Sequence, residues 1–245
     1  MTEPLVLYEK LDGGVARVTL NRPQALNAIN LQMRDDLWEI VHAIRDDPDV
    51  QAVVFKGAGD RAFSAGADVT EFGTAPTLAQ ARRARRDRDL WRFMITLEKP
   101  LVTAIHGFAL GAGIELSMCC DIRIASDDAR IGLPEVSLGY IPSAGGTQML
   151  PRLIPRSAAM QMILTGNPID ARTAFEYGLV HRVVAPGDLD ATAEELARRL
   201  ADHPPQAVAL AKRAILAVDD LSPGAAAAVE SKLAMRALAA SFHSP

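Results

Sequence analysis

The sequence predicts a mixed α/β fold whose strands are joined by helical crossovers. Three observations carry that prediction: two alternating segments meet at the turn-forming Asp12-Gly13-Gly14, short apolar runs recur with helical stretches between them, and the chain turns alanine-rich after Pro186. Strands that alternate with helices favour a sheet built through crossover connections, because each helix buries its apolar stripe against a sheet face.

LVLYEKLDGG and VARVTLNRP alternate and are split by a Gly-Gly turn, the pattern of an antiparallel hairpin. From Asn27 to Asp46, Leu31, Leu37, Ile40, Val41 and Ile44 recur near helical spacing and Asp47-Pro48 closes the run, so an amphipathic helix is expected there. AVVFKGAG at 52–59, LVTAIHG at 101–107 and DIRIAS at 121–126 have strand length and end in small or polar residues. Beyond Pro186, ATAEELARRLAD, QAVALAKRAILAV and GAAAAVESKLAMRALAA are helix-forming, punctuated by Pro204-Pro205 and Pro223-Gly224. These helices are expected to pack on the core or on a neighbouring subunit.

With 245 residues, 49% hydrophobic and 23% charged, the chain is long enough to bury a sizeable core and lies outside the disordered class. A net charge of −4 gives no general attraction to nucleic acid or to an anionic membrane. MTEPLVLYEKLDGG mixes acid and base without an apolar signal core, and no later segment offers the ~18 uninterrupted apolar residues of a membrane span, so a cytoplasmic protein is expected. Cys119 and Cys120, the only cysteines, are adjacent and make neither an ordinary disulfide nor a metal site by themselves; they read as reduced core residues.

Residues 110–121 read LGAGIELSMCCD, a core-like run broken by Glu115. A buried, unpaired carboxylate costs several kcal/mol or neutralises itself, so such a residue is paired, exposed after all, or working. The glycines before it permit a tight turn from the strand ending at His106-Gly107 into a helix starting near Gly113. A helix N-terminus has unpartnered N–H groups and a positive dipole end, which suits an anion or a developing oxyanion. Ala112 lies one helical turn before Glu115, so one short element can supply both an N–H donor and a base. Twenty residues after Glu115, Glu135 follows Pro134 in the Gly- and Pro-rich IGLPEVSLGYIPSAGGTQ. In RAFSAGADVTEF, Ala65-Gly66-Ala67 precede Asp68, a candidate N-cap, so Ala67 can present a second free N–H.

In NRPQALNAIN, AFSAGADVTEF, ALGAGIELSMCCDIRIAS, IGLPEVSLGYIPSAGGTQ and the LTG to AFEYGLVHRVV stretch, the chain resembles the crotonase family, the enoyl-CoA hydratase/isomerase superfamily. The resemblance runs from about residue 5 to residue 190. It implies a catalytic core over 1–186, a spiral of repeated ββα units with strands in two nearly perpendicular sheets. A helical region over 187–245 for trimer formation follows, and such trimers commonly pair into hexamers. It also implies a CoA thioester bound bent, its carbonyl oxygen held by the N–H groups of Ala67 and Ala112, with Leu26, Ala65, Asp68 and Val69 also lining the ligand. In the hydratase branch the residue matching Glu115 activates a water for attack on Cβ, and the residue matching Glu135 delivers a proton to Cα. Coenzyme A then enters as part of the substrate; no further cofactor, metal, nucleic acid or membrane partner is expected.

Retention of both glutamates favours a 2-enoyl-CoA hydratase. The leading same-scaffold alternative is a Δ3-Δ2-enoyl-CoA isomerase, for which one carboxylate moving a proton between Cα and Cγ suffices, with another crotonase-type acyl-CoA enzyme working through a thioester enolate beside it. QARRARRDRDLW carries Arg82, Arg83, Arg85, Arg86 and Arg88, with Arg92 just beyond; mixed with Asp87 and Asp89, it reads as a solvated or intersubunit face. It also prompts a third alternative, a non-catalytic acyl-CoA- or RNA-binding scaffold. Asp68 reads as a cap and not a catalyst, and His106, at a turn beside Gly107, as structural. Two departures from the family pattern stand out: Ser143 precedes Ala144-Gly145-Gly146 where GAGG is usual, and the chain ends at SFHSP without the usual terminal Gly–Ala–Phe and Glu–Lys–Arg segment.

Overall fold

The computed structural model describes residues 3–71 and 88–241. The expected hairpin is formed by β1 (Val6–Leu11) and β2 (Val15–Leu20), paired from Val6 opposite Leu20 to Leu11 opposite Val15. Helix α1 (Leu31–Asp46) follows, and the Asn30 side chain caps it by accepting the Met33 N–H at 2.9 Å. Its buried face is Met33, Leu37, Val41 and Ile44. Two expected core positions differ: Leu31 is 49% exposed, being the first residue of the helix, and Ile40 is half-buried. Met33, unbranched and flexible, takes a core position in their stead.

Three two-strand units come next, and each sends its first strand to one sheet and its second to another. They are β3 (Ala52–Gly57) with β4 (Ala62–Ser64), β5 (Leu101–Ile105) with β6 (Phe108–Leu110), and β7 (Ile122–Ser126) with β8 (Arg130–Gly132). Helix α2 (Leu90–Thr96) precedes the second unit and α3 (Ala112–Met118) leaves it. After the third come α4 (Gly146–Leu153), α5 (Arg156–Thr165), β9 (Ile169–Asp170), α6 (Ala171–Glu176) and β10 (Arg182–Val184). The larger sheet has the order β1-β2-β3-β5-β7-β10 and is parallel from β2 onward; the smaller is β4-β6-β8-β9, with β4, β6 and β8 parallel. This is the spiral that the motifs imply.

The central strands of the larger sheet are covered on both faces, so they are mostly apolar and almost wholly buried, Thr103 and Arg123 included. Along β3, Val53 and Phe55 face the main core with α1 and the smaller sheet, while Ala52 and Val54 face the opposite way. That outer face is covered by α7 (Leu189–Ala201), whose Leu189, Ala193 and Ala197 are buried against Val15, Val102, Ala104 and Ile124. The small alanine side chains let the helix approach the sheet closely. Helices α8 (Pro205–Asp220) and α9 (Pro223–Ser241) pack on each other and leave Ile215, Val218 and Met235 exposed at 71%, 68% and 66%. Lys212 ties α8 to the sheet by pairing with Asp121 at 2.8 Å. Among the described residues no helix is long and apolar enough to cross a membrane.

Candidate active site

The carboxyl ends of β4, β6 and β8 converge, and the residues singled out in the sequence lie just past them. Ends of neighbouring parallel strands are where open α/β sheets form their crevices. From β4 the chain enters Ala65-Gly66-Ala67-Asp68; from β6 it turns at Gly111 into α3; from β8 it passes Leu133-Pro134 into a short 3-10 turn, Glu135–Leu138. The first two loops touch. A Cβ placed on Gly66 would lie 2.9 Å from the Leu110 carbonyl oxygen and 3.5 Å from the Ala112 nitrogen, so only glycine permits the approach.

Ala112 is the first residue of α3, and its N–H has no carbonyl one turn back to bond. Ala67 is bridged to Ile29: the Ile29 N–H donates to Gly66 O at 2.7 Å and the Asp68 N–H donates to Ile29 O at 3.0 Å. In such a bridge the flanking groups bond the partner and the central residue's own N–H points away from it. Among the described residues neither the Ala67 N–H nor the Ala112 N–H makes a backbone hydrogen bond.

Glu115 is 2% exposed, and the question raised by its core-like surroundings has a direct answer: it is paired. Its Oε1 accepts the Ala144 N–H at 2.9 Å and the Gly146 N–H at 2.7 Å, at the start of α4. Two N–H donors on one oxygen stabilise a carboxylate over its acid form. Glu135, 4% exposed, has the opposite setting. Its Oε2 is buried without a hydrogen-bond partner among the described residues, while Oε1 would lie 2.9 Å from a Cβ on Gly111. Burial, reinforced by the charge of Glu115, pushes the Glu135 carboxyl up to about 7. The two carboxyls thus differ: Glu115 accepts two N–H groups, whereas Glu135 is still about half protonated at neutral pH. Tyr140 lies close enough to both that they add to burial in raising its phenol.

Asp68 caps the short turn Val69–Glu71, as expected: its Oδ1 accepts from the Thr70 N–H at 3.1 Å and the Thr70 hydroxyl at 2.6 Å. Its Oδ2 also pairs with Arg22 at 2.6 Å, which the sequence reading did not include. Thr70 and Arg22 together hold the carboxyl down at about 2. Leu26 sits in the neighbouring loop, where its carbonyl accepts the Ala65 N–H at 2.9 Å, and Val69 is exposed. Leu26 and Asn27 are both left-handed, with φ of 52° and 54°, a conformation that side chains other than glycine rarely adopt. Asn27 holds it: fully buried, it donates to Ala58 O and Ala62 O at 2.9 and 2.8 Å and accepts the Arg22 N–H at 2.9 Å. A lone polar residue inside LNAI is the signal that could have found it.

The remaining candidates lie apart from this chemistry. His106 is half-buried in the turn between β5 and β6, where burial and then Lys56 push its pKa down. Cys119 and Cys120 are free and buried, and burial pushes the Cys120 thiol up to about 12. Arg82, Arg83, Arg85 and Arg86 lie outside the described residues; Arg88 pairs with Asp35 at 3.2 Å on the surface.

The family model for enoyl-CoA hydratase/isomerase matches residues 10–240. A short-chain-enoyl-CoA hydratase of Clostridium acetobutylicum is 44% identical over 86% of this chain and 80% of its own length. A crotonyl-CoA hydratase of Syntrophomonas wolfei is 40% identical over 85% and 80%. Among solved structures, an enoyl-CoA hydratase from Bacillus anthracis superposes with a TM-score of 0.89 at 37% identity, covering 94% of this chain and 90% of that one.

Proposed function

Because the chain belongs to the enoyl-CoA hydratase/isomerase family, we propose that it adds water across the 2,3 double bond of a 2-enoyl-CoA thioester to give the 3-hydroxyacyl-CoA. The observation that carries this reading is the unequal pair of carboxyls. Hydration requires water to lose one proton and Cα to gain one, which two carboxyl groups in different protonation states serve better than one. Glu115, held by two N–H donors, accepts the proton of the attacking water. Glu135, its carboxyl raised to about 7, delivers a proton to Cα.

As water attacks Cβ, negative charge collects on the thioester oxygen. The N–H groups of Ala67 and Ala112 are the donors assigned to that oxygen, and one preorganised donor of this kind is typically worth about 3 kcal/mol in the transition state. Both are set by backbone, so they need no rearrangement when charge develops. Ala65, Asp68, Val69 and Leu26 line the same loops and complete the ligand's surroundings. Coenzyme A enters with the substrate, and the steps call on no other cofactor. The exposed apolar residues of α8 and α9 are consistent with a subunit contact, which this reading takes as that of a homotrimer or a dimer of trimers; the cytoplasmic setting is part of the same proposal and rests on the sequence reading.

The test is a panel of 2-enoyl-CoA esters of increasing chain length followed by mass, with wild type and the Glu115→Gln and Glu135→Gln variants. The expected result is a gain of one water by wild type that both variants lose. An unchanged mass with a migrated double bond would instead assign the isomerase reaction.

A further inference from the structure

The Ala67 N–H is only as useful as its direction, and its direction is set by groups that are not themselves the donors to the thioester oxygen. We infer that Arg22 and Asp68 are positioning residues: their ion pair closes the two-strand bridge that aims the Ala67 N–H into the cleft. The inference rests on the reading of Ala67 as a donor to the thioester oxygen.

Four observations carry it. The Ile29 bridge grips Ala67 from both sides, through Gly66 O at 2.7 Å and the Asp68 N–H at 3.0 Å. Nη1 of Arg22 then reaches across the same bridge, donating to Ala28 O at 3.1 Å on one strand and to Asp68 Oδ2 at 2.6 Å on the other. Both partners are largely withdrawn from water, their side chains 22% and 11% exposed, so the pair is screened less than a surface one. Arg22 is itself fixed at its backbone, since its N–H donates to the buried Asn27 side chain. The clamp therefore runs from a rigid loop to the residue after Ala67, leaving the N–H on the far side as the group whose aim it determines.

Other bonds flank the bridge, from the Ala65 N–H to Leu26 O at 2.9 Å, from the Ser64 hydroxyl to Asn27 O at 2.8 Å and from the Leu31 N–H to Glu71 Oε2 at 2.8 Å; the ion pair is the side-chain tie at the residue next to Ala67. Without the ion pair, Asp68 keeps its Thr70 contacts and its backbone bond to Ile29 O but loses the side-chain tie to Arg22, and the peptide at residue 67 gains freedom to rotate. A rotated N–H polarises the carbonyl less while leaving the rest of the ligand's contacts in place.

The experiment uses the full chain and a dialkylaminocinnamoyl-CoA, a conjugated thioester whose absorbance moves to the red as its carbonyl is polarised. Asp68→Asn, Arg22→Gln, Arg22→Lys and the double variant Arg22→Gln/Asp68→Asn are compared with wild type for the red shift, for kcat and KM, and for Tm. The expected result in Asp68→Asn and Arg22→Gln is a smaller red shift, with kcat lowered by about tenfold to a hundredfold and KM little changed, as for partial loss of an oxyanion donor. Arg22→Lys should recover part of both, and the double variant should be no worse than the more impaired single one. A full red shift with wild-type kcat, or a change confined to KM or Tm, overturns the inference. Should Arg22→Gln fail to fold, the isosteric Asp68→Asn carries the test. A wild-type protein that red-shifts the probe but adds no water overturns hydration and leaves this test in force, because its readout is the absorbance.

Discussion

Glu115 and Glu135 are nearly equally withdrawn from water, yet the regions around them treat the carboxyl group in opposite ways. The start of α4 turns two N–H groups onto Glu115, whereas the turn after β8 leaves an oxygen of Glu135 with no partner among the described residues. The difference teaches that burial alone does not decide a carboxyl's state. Donors aimed at the group matter as well: Glu115 receives two amides from the start of α4, whereas Glu135 has only its own backbone amide, which does not offset its burial.

The largest effect expected from breaking this contrast is at Glu115. Glu115→Gln keeps the size of the side chain but not its basicity, and should lower the hydration kcat by about a thousandfold while acyl-CoA binding persists. Equal hydration rates in variant and wild type, followed by loss of the conjugated thioester absorbance, would remove Glu115 from the reaction. Glu135→Gln should cost about a hundredfold, since solvent can replace a proton donor more readily than a base that must hold the nucleophile.

The pH profile sharpens the comparison. With Glu135 raised to about 7 and needed in its acid form, kcat/KM for hydration should fall above that value, the acid limb being set by protonation of Glu115. The residual activity of Glu135→Gln should lack that alkaline fall; a profile in which it persists would assign the titration to another group. The smallest effect is on stability. A carboxyl whose folded value is raised from 4.5 to about 7 contributes stability that is complete below 4.5 and lost as pH climbs through 7. The difference is on the order of 3 kcal/mol, so Glu135→Gln should gain in Tm relative to wild type between pH 5 and pH 8. No relative gain, read by thermal melts at the two pH values, would mean that Glu135 is not strained by its charge.

Much of this was legible in the sequence, and what was not has physical causes. The hairpin announced itself by its Asp12-Gly13-Gly14 turn, α1 by the helical spacing of its apolar residues, and the first strand of each two-strand unit by a mostly apolar run of five or six residues. The partner strands β4, β6 and β8 have three residues each, too few for a period of two to show. Glu115 and Glu135 were found as chemically odd residues in apolar or rigid surroundings. What distinguishes them was invisible, because the donors to Glu115 are the amides of Ala144 and Gly146, 29 and 31 residues on, which leave no side-chain mark. The Arg22 to Asp68 pair spans 46 residues and was hidden for a similar reason: nothing local in NRPQALNAIN names its partner.

The stepped arrangement of the smaller sheet has one more consequence. Its three neighbouring parallel strands each bring one part of the proposed site to their tips: the Ala67 amide after β4, the Ala112 amide with Glu115 after β6, Glu135 after β8. The parts of the proposed reaction are thus mounted on separate rungs of a common ladder. A lineage can exchange the fitting on one rung, and so the bond that is made or broken, while the ladder and the fittings on the other two keep their places.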